Sequence, residues 1–76
     1  MTPQEIKNRL TENFPQSEIE VIDLTGTQDH YEVIVVSQLF QGLSRVQQHQ
    51  KVMSCFGPEL KTGEVHALSI KTKTNS

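Results

Sequence analysis

The sequence is poor in the residues from which a large hydrophobic core is built. Its 76 residues include no tryptophan, only 34% are apolar, and the mean hydropathy is -0.45. A chain this short buries a thin core and has little stability in reserve for a deep, preformed catalytic pocket. The composition therefore favours one domain, residues 1–76, that acts through a surface that meets another molecule.

Cysteines and long apolar segments are also scarce. Cys55 is the one cysteine, so no intramolecular disulfide can form, which suits a reducing compartment. The longest apolar run, Val33 to Val36, is far shorter than the ~20 residues that cross a bilayer. The start, Met-Thr-Pro-Gln-Glu, has no charged-then-apolar leader. We therefore expect a soluble, cytoplasmic protein without a membrane partner.

An excess of positive charge is missing as well. The formal charge is -2, so no global basic field draws the chain to nucleic acid or to acidic membranes. The sequence has no phosphate-cradling glycine loop, no paired-carboxylate site and no HExxH motif. It offers no independent case for an enzyme, and we expect none.

Capping and periodicity define the first half of the chain. The first helix begins with a capping box formed by Thr2 and Glu5, with Pro3 at its first position. Its apolar stripe consists of Ile6, Leu10 and Phe14, and the helix ends at Pro15. Residues 18–24 alternate as a strand with one wet face, and residues 30–37 predict a buried, central strand. Between them, residues 25–29 form a turn in which Gly26 takes a positive φ.

The second half predicts helix and then strand. Ser44 and Gln47 form a second capping box, Gly57-Pro58 interrupts the helix, and Pro58 to Leu60 begins a further helical turn. Residues 64–72 alternate as a third strand, and the polar tail 73–76 is expected to fray. A helical projection places five residues on one stripe of the second helix: Val46, His49, Val52, Met53 and Phe56.

The resulting order is α-β-β-α-(α)-β, an α+β two-layer sandwich with a three-stranded mixed sheet. The first two strands are antiparallel because their turn is short, and the helical connection favours a parallel third strand. His30 opens the second strand and His66 lies near the start of the third. Parallel neighbours would bring both imidazoles to the same end of the sheet.

The two histidines have two readings at this point. Imidazole is a suitable ligand for iron, zinc and copper, but two ligands are too few for a closed zinc site, so a partner would complete the coordination. Alternatively, each imidazole simply bonds water or backbone at a strand start. Asp29 and Glu32 flank His30 and either orient its ring or are ordinary surface charges.

Two further residues have ordinary structural interpretations. Cys55 has no neighbouring cation that argues for an activated thiolate, so it reads as a partly buried filler, although a small thiol enzyme is the alternative. His49, in the middle of its stripe, reads as a core histidine rather than a ligand.

Three segments together resemble the BolA family across about two-thirds of the chain. They are residues 30–37 followed by Phe40-Gln41-Gly42-Leu43-Ser44, the helix of residues 45–52, and residues 65–72. Their order and spacing match the family pattern VVS…F-x-G-x-S…RHR-x-V…HAL, in which the HAL segment after an F-x-G-x-S turn is specific.

The resemblance implies a fold similar to the type II KH domain and a partner, a monothiol glutaredoxin of the CGFS type. In such complexes a [2Fe-2S] cluster bridges the two proteins, the glutaredoxin and its glutathione supply sulfur ligands, and the histidine of the HAL motif, here His66, supplies nitrogen. No cluster is expected in the isolated protein. A second ligand comes from the loop between the first two strands. That loop has neither His nor Cys here, which leaves His30 at its exit as the nearby candidate.

A nucleic-acid-binding transcriptional regulator is the alternative function that the resemblance carries. The RHR segment is Gln48-His49-Gln50 here, and Gly57-Pro58-Glu59-Leu60 lacks the second glycine of the GXXG loop with which KH domains clamp a nucleic-acid backbone. Five cations could still form a local patch: Arg45, Lys51, Lys61, Lys71 and Lys73. The sequence leaves self-association as a homodimer open.

Overall fold

The computed structural model describes residues 1–26, 30–65 and 67–74. Three helices and three strands follow the predicted order. They are α1 (Pro3–Asn13), β1 (Glu18–Asp23), β2 (His30–Val36), a 3-10 turn (Gln38–Phe40), α2 (Arg45–Ser54), α3 (Gly57–Thr62) and β3 (Ala67–Lys73). The class is α+β, as predicted. Within the three described stretches, no helix is both long and apolar enough to cross a bilayer.

Both predicted capping boxes are present. The Thr2 hydroxyl accepts from the Glu5 amide at 3.2 Å while the Glu5 carboxylate accepts from the Thr2 amide at 2.8 Å. Ser44 and Gln47 make the same reciprocal pair at 3.2 and 2.9 Å. Each box satisfies amides that the first helical turn leaves without a partner, and this fixes where α1 and α2 begin.

The sheet has the order β1-β2-β3, with β2 in the centre. β1 pairs antiparallel with β2, and β2 pairs parallel with β3. Gly26, after β1, has a φ of +76°, the left-handed value expected of a turn glycine. The mixed sheet therefore confirms both predicted strand pairings.

The helices cover one face of the sheet and leave the other open. Tyr31, Val33 and Val35 on β2 are fully buried against the helices, whereas the alternate β2 residues lie half-buried on the open face. The predicted stripe of α1 is buried, and so is Phe40. The core comprises Ile6, Leu10, Phe14, Tyr31, Val33, Val35, Phe40, Val52, Phe56 and Val65.

The third strand differs from its prediction at both ends. It begins at Ala67 rather than at Glu64, because Val65 is buried and its amide bonds the Glu59 carbonyl at 3.1 Å, which ties this residue to α3. At its other end Lys73, predicted to fray, pairs with Val36 and accepts from the Ser37 amide at 2.9 Å. A strand ladder uses backbone groups, so a polar side chain does not end it.

Candidate functional site

His30 lies at the end of the sheet where the topology predicted it. It opens β2, its carbonyl accepts from the Leu24 amide at 2.9 Å, and its register partner on β3 is Ala67. Its side chain is half-buried and alternates with Tyr31, which points into the core. The imidazole therefore belongs to the open face, where a second molecule has access to this end of the sheet.

His66 lies outside the described residues, so its role as the principal ligand stays a prediction. The geometry on which that prediction depends is present. β2 and β3 are parallel neighbours, and His30 pairs with Ala67, the residue that follows His66 in the chain.

Two exposed apolar side chains, absent from the residues predicted for the site, lie beside His30 on the open face. Leu24, across from His30 on the β1 side, is 56% exposed, and Ile22, two residues earlier, is 37% exposed. The signal was available in the alternation of this strand. Glu18 and Glu20 occupy the open face at one end, and Ile22 and Leu24 replace them at the other. We call Ile22 and Leu24 the apolar rim.

Of the two acids that flank His30 in sequence, Glu32 is described and Asp29 lies outside the described residues. Glu32 shares the open face with His30 and forms an ion pair with Lys71 at 3.2 Å. On the β1 side, the Asp23 carboxylate accepts from the Gly26 amide at 3.0 Å, which anchors the start of the connection to β2.

Cys55 lies in the helix layer, so the thickness of the sheet separates it from the open face that carries His30. It caps α2, it is half-buried, and its thiol donates to the Lys51 carbonyl at 3.5 Å. Burial raises the pKa of the Cys55 thiol, and the positive charges of Arg9 and Lys51 offset this effect only in part. The interpretation as a partly buried filler is confirmed. A thiol with a raised pKa is a poor nucleophile at neutral pH.

The predicted apolar stripe of α2 is only partly buried. Val52 and Phe56 are buried, but Val46 is 65% exposed and Met53 is 45% exposed. His49 is half-buried rather than enclosed in the core. The inward face is rotated toward Gln48, whose side-chain oxygen accepts from the Thr72 hydroxyl at 2.5 Å and whose amide group donates to the Leu43 carbonyl at 3.0 Å. A satisfied polar residue replaces an apolar one on that face.

Comparison with protein families identifies the chain. The family model described as BolA-like protein matches residues 10–76, nearly its whole length. The chain belongs to the BolA family. A curated BolA-family relative, the Rickettsia prowazekii protein RP812, is 36% identical over 72 residues, which cover 95% of this chain and 92% of the relative.

Solved BolA structures have the same fold. BolA1 from Arabidopsis thaliana superposes with a TM-score of 0.86 at 30% identity, covering 96% of this chain and 90% of that one. The BolA domain of SufE1 from the same plant gives 0.86 at 33% identity, covering 96% and 91%. The three helices and mixed sheet of this BolA-family chain are therefore the family fold.

In this BolA-family chain, the segment that was compared with the GXXG loop of KH domains is helical. Gly57-Pro58-Glu59-Leu60 forms most of α3. The cations also separate onto two surfaces, because β3 places two of them on the open sheet face while the others belong to the helix layer. Lys71 and Lys73 form the first group, and Arg45, Lys51 and Lys61 form the second.

Among the described residues, no group of three or more His, Cys, Asp or Glu side chains is placed to bind a metal ion. The one thiol lies in the helix layer, away from His30. An imidazole on an open face can supply nitrogen to an iron–sulfur cluster only when thiolates come from elsewhere.

Proposed function

We propose that this chain is a BolA-type adaptor that pairs with a CGFS monothiol glutaredoxin and shares a bridging [2Fe-2S] cluster with it. The cluster is cargo of the pair, and the adaptor catalyses no reaction of its own. The observation that carries the proposal is the parallel register of His30 with Ala67, since it brings the residue after His66 beside the second candidate ligand. Membership of the BolA family supports the choice of partner.

The division of ligands follows from the chemistry of the chain. Two imidazoles supply the nitrogen ligands, with His66 as the principal one and His30 as the second. Glutaredoxin and glutathione supply the sulfur. Replacement of cluster thiolates by histidine raises the reduction potential and makes a ligand protonatable near neutral pH. The shared cluster would therefore respond to pH and redox state, which suits transfer or sensing more than permanent storage.

The apolar rim provides a contact surface beside the ligands. Ile22 and Leu24 leave apolar area in water on the open face, and burial of that area against a partner is favourable by about 25 cal/mol per Å². An exposed apolar surface next to a candidate ligand is typical of a site that a second protein covers. We therefore assign the rim to the glutaredoxin contact.

Reconstitution tests the ligand assignment. The chain is mixed with glutathione-loaded CGFS glutaredoxin, iron and sulfide under reducing conditions, and the absorption and circular dichroism of the cluster are compared with those of glutaredoxin alone. We expect a heterocomplex with an altered spectrum. His66→Ala should abolish the change, His30→Ala should reduce it, and His49→Ala, a half-buried histidine on α2, should leave it intact. An unaltered cluster spectrum in the His66→Ala complex would contradict the assignment.

A second measurement tests the contact surface without the cluster. Leu24→Asp should weaken binding of glutaredoxin in calorimetry by roughly tenfold or more, because a charge then meets the apolar interface. Leu39→Asp is the matched control, since Leu39 is 51% exposed on the 3-10 turn and not on the open sheet face. Equal weakening by both variants would place the contact elsewhere.

A salt titration on duplex DNA separates this proposal from the nucleic-acid alternative. An adaptor should bind DNA weakly and without a specific site, with an affinity that falls steeply as salt rises. Tight, sequence-dependent binding would favour the regulator instead.

A further inference from the structure

At the end of the open face away from His30, acidic side chains lie on β1 and basic side chains on β3. One row across the sheet runs Glu18, Val36, Lys73, and the next runs Glu20, Ile34, Lys71. The face thus has an acidic edge on β1, an apolar centre on β2 and a basic edge on β3. We call these six residues the striped face.

Three of the four charged side chains of the striped face form no ion pair with the part of the chain that the structure describes. In residues 1–26, 30–65 and 67–74, Lys71 pairs with Glu32 at 3.2 Å, whereas Glu18, Glu20 and Lys73 form no ion pair. The acidic and basic edges are two strand spacings apart, roughly 9.6 Å, so they do not meet directly across the sheet. Between them, Ile34 and Val36 are half-buried and line a shallow depression together with Glu18 and Glu20.

We propose that a second copy of this chain covers the striped face, around a two-fold axis that runs close to the direction of β2. Rotation about this axis leaves each row at the same position along the strands and reverses the order of the strands across the sheet. β1 of one copy therefore lies over β3 of the other. Glu18 then faces Lys73 of the second copy and Glu20 faces Lys71. By symmetry each contact occurs twice, as in any isologous interface.

The charge pattern disfavours the other simple arrangement. A two-fold axis that crosses the strands within the striped face would place β1 over β1 and set the glutamates of both copies against each other. Like charges at that position disfavour association, so electrostatics selects the axis along β2. With the axis along β2, Ile34 and Val36 each contact their own symmetry mates, so the apolar centres of the two copies meet.

Sheet packing permits this dimer and limits its strength. Facing sheets lie about 10 Å apart with strands within about 30° of each other, a gap that lysine and glutamate side chains can span together. Full overlap of the three strands, each of about seven residues, gives a footprint of roughly 14 by 23 Å. Such overlap also covers His30 and the apolar rim, so the dimer and the glutaredoxin complex would exclude each other on this face. This footprint, roughly 320 Å² per copy, is below the roughly 800 Å² per partner of specific, stable interfaces, so we expect only a weak, salt-sensitive dimer that is populated toward millimolar concentration.

The dimer is tested by sedimentation of the whole chain, in reductant so that Cys55 cannot cross-link copies. At low salt, the apparent mass should rise with concentration toward twice the 8.6 kDa of one chain and fall again when salt is added. Glu18→Lys and Lys73→Glu should each weaken self-association by roughly tenfold or more, because two contacts change sign at once. An equal mixture of these two variants should restore association, since each reversed charge then meets its opposite.

Matched controls separate the effect of the interface charges from that of net charge. Glu12→Lys on α1 and Lys61→Glu on α3 cause the same changes of net charge at exposed positions in the helix layer and should leave the wild-type behaviour unaltered. A chain that stays monomeric near 1 mM at low salt overturns the proposal. So does a dimer that resists both charge reversals, or one whose NMR shift changes map to Val46 and Met53. The salt series on the wild-type chain decides the matter if a variant fails to fold.

Discussion

The two faces of the sheet differ sharply although the same strands build them. On β2, Tyr31, Val33 and Val35 are 0% exposed against the helices. Glu32, Ile34 and Val36, which alternate with them, lie half-buried on a face that none of the described helices covers. One face therefore supplies nearly all of the apolar burial, while the other presents charge, a histidine and a few apolar side chains to a second molecule.

Because adjacent residues of a strand point to opposite faces, one residue contributes to folding stability and the next to binding. A domain of this size has only about 4–11 kcal/mol of unfolding free energy, at 0.05–0.15 kcal/mol per residue. Substitutions on the covered face should consume much of that margin, whereas substitutions on the open face should change what the protein binds. The two largest expected effects each contrast a buried position with an open or exposed neighbour.

The largest contrast is expected between Val35→Asp and Val36→Asp, the same change at adjacent positions. Val35 is fully buried, so its carboxylate would lose water without a partner, at a cost of several kcal/mol. That cost should unfold the chain. Val36 lies on the open face beside Lys73, so its variant should lose about 1 kcal/mol, mainly through strand propensity. Urea unfolding followed by circular dichroism measures both, and equal losses would contradict the division of the faces.

Phe40→Ala should give the next largest effect. Its ring is fully buried and lies 5.2 Å from that of Phe14, and truncation of a core phenylalanine costs about 3–5 kcal/mol. Leu39→Ala, one residue earlier in the same 3-10 turn, should change stability by less than about 0.5 kcal/mol because that side chain is exposed. If Leu39→Ala proved as costly as Phe40→Ala, Leu39 would have to pack in solution in a way that its exposure contradicts.

The sequence specified the fold through local signals that depend on a few residues. Two capping boxes fixed the starts of α1 and α2, and the alternation in residues 30–37 fixed the buried face of β2. The orientation of α2 could not be predicted in this way, because an apolar projection gives no weight to Gln48. That residue faces inward only because Thr72 and Leu43, distant in sequence, satisfy its side chain. Such partners emerge only in the folded chain.

The candidate site was predictable to a similar extent. The position of His30 follows from strand order alone, since a short turn and a helical crossover fix the directions of β2 and β3. The apolar rim was missed because strand alternation was used to find the buried face and not to read the open one. Along β1 and the residue after it, the open face changes from acidic to apolar. Glu18 and Glu20 lie at one end and Ile22 and Leu24 at the other, and this change is visible in the sequence once the buried face is known.

A smaller loss of stability is expected at Arg9, which connects α1 to the end of α2 and to α3. Its guanidinium donates to the Cys55 carbonyl at 3.2 Å, forms an ion pair with Glu59 and lies 5.4 Å from the centre of the Phe56 ring. Arg9→Met should cost about 1–3 kcal/mol, because it removes charged hydrogen bonds while keeping an apolar stem. Lys7→Met, an exposed cation on the same helix, is the control.

The same variant has a second readout at the thiol. The positive charge of Arg9 lowers the pKa of Cys55 against the larger, opposite effect of burial. Arg9→Met should therefore raise the pKa of this thiol further and slow its alkylation at a given pH. Alkylation rates measured as a function of pH check this expectation. Faster alkylation without a shift of the profile would indicate local opening of the α2 end instead of a lost charge.

The smallest effect is expected in the first turn of α1, where the exposed Glu5 lies outside the contrast between the faces. Hydrogen bonds from Thr2 lower the pKa of the Glu5 carboxyl below its ordinary value. A carboxyl whose pKa is lowered by folding stabilises the fold above its unfolded-state pKa, and this contribution is lost as pH falls through the folded-state pKa. The stability difference between the wild type and Glu5→Gln should therefore shrink as the solution is acidified. In a carboxyl NMR titration, Thr2→Ala should move the Glu5 midpoint upward, but only in part, because the backbone amide of residue 2 still donates. Thr2→Ser should restore the wild-type midpoint, and a midpoint that ignores both changes would mean that the capping box does not form in solution.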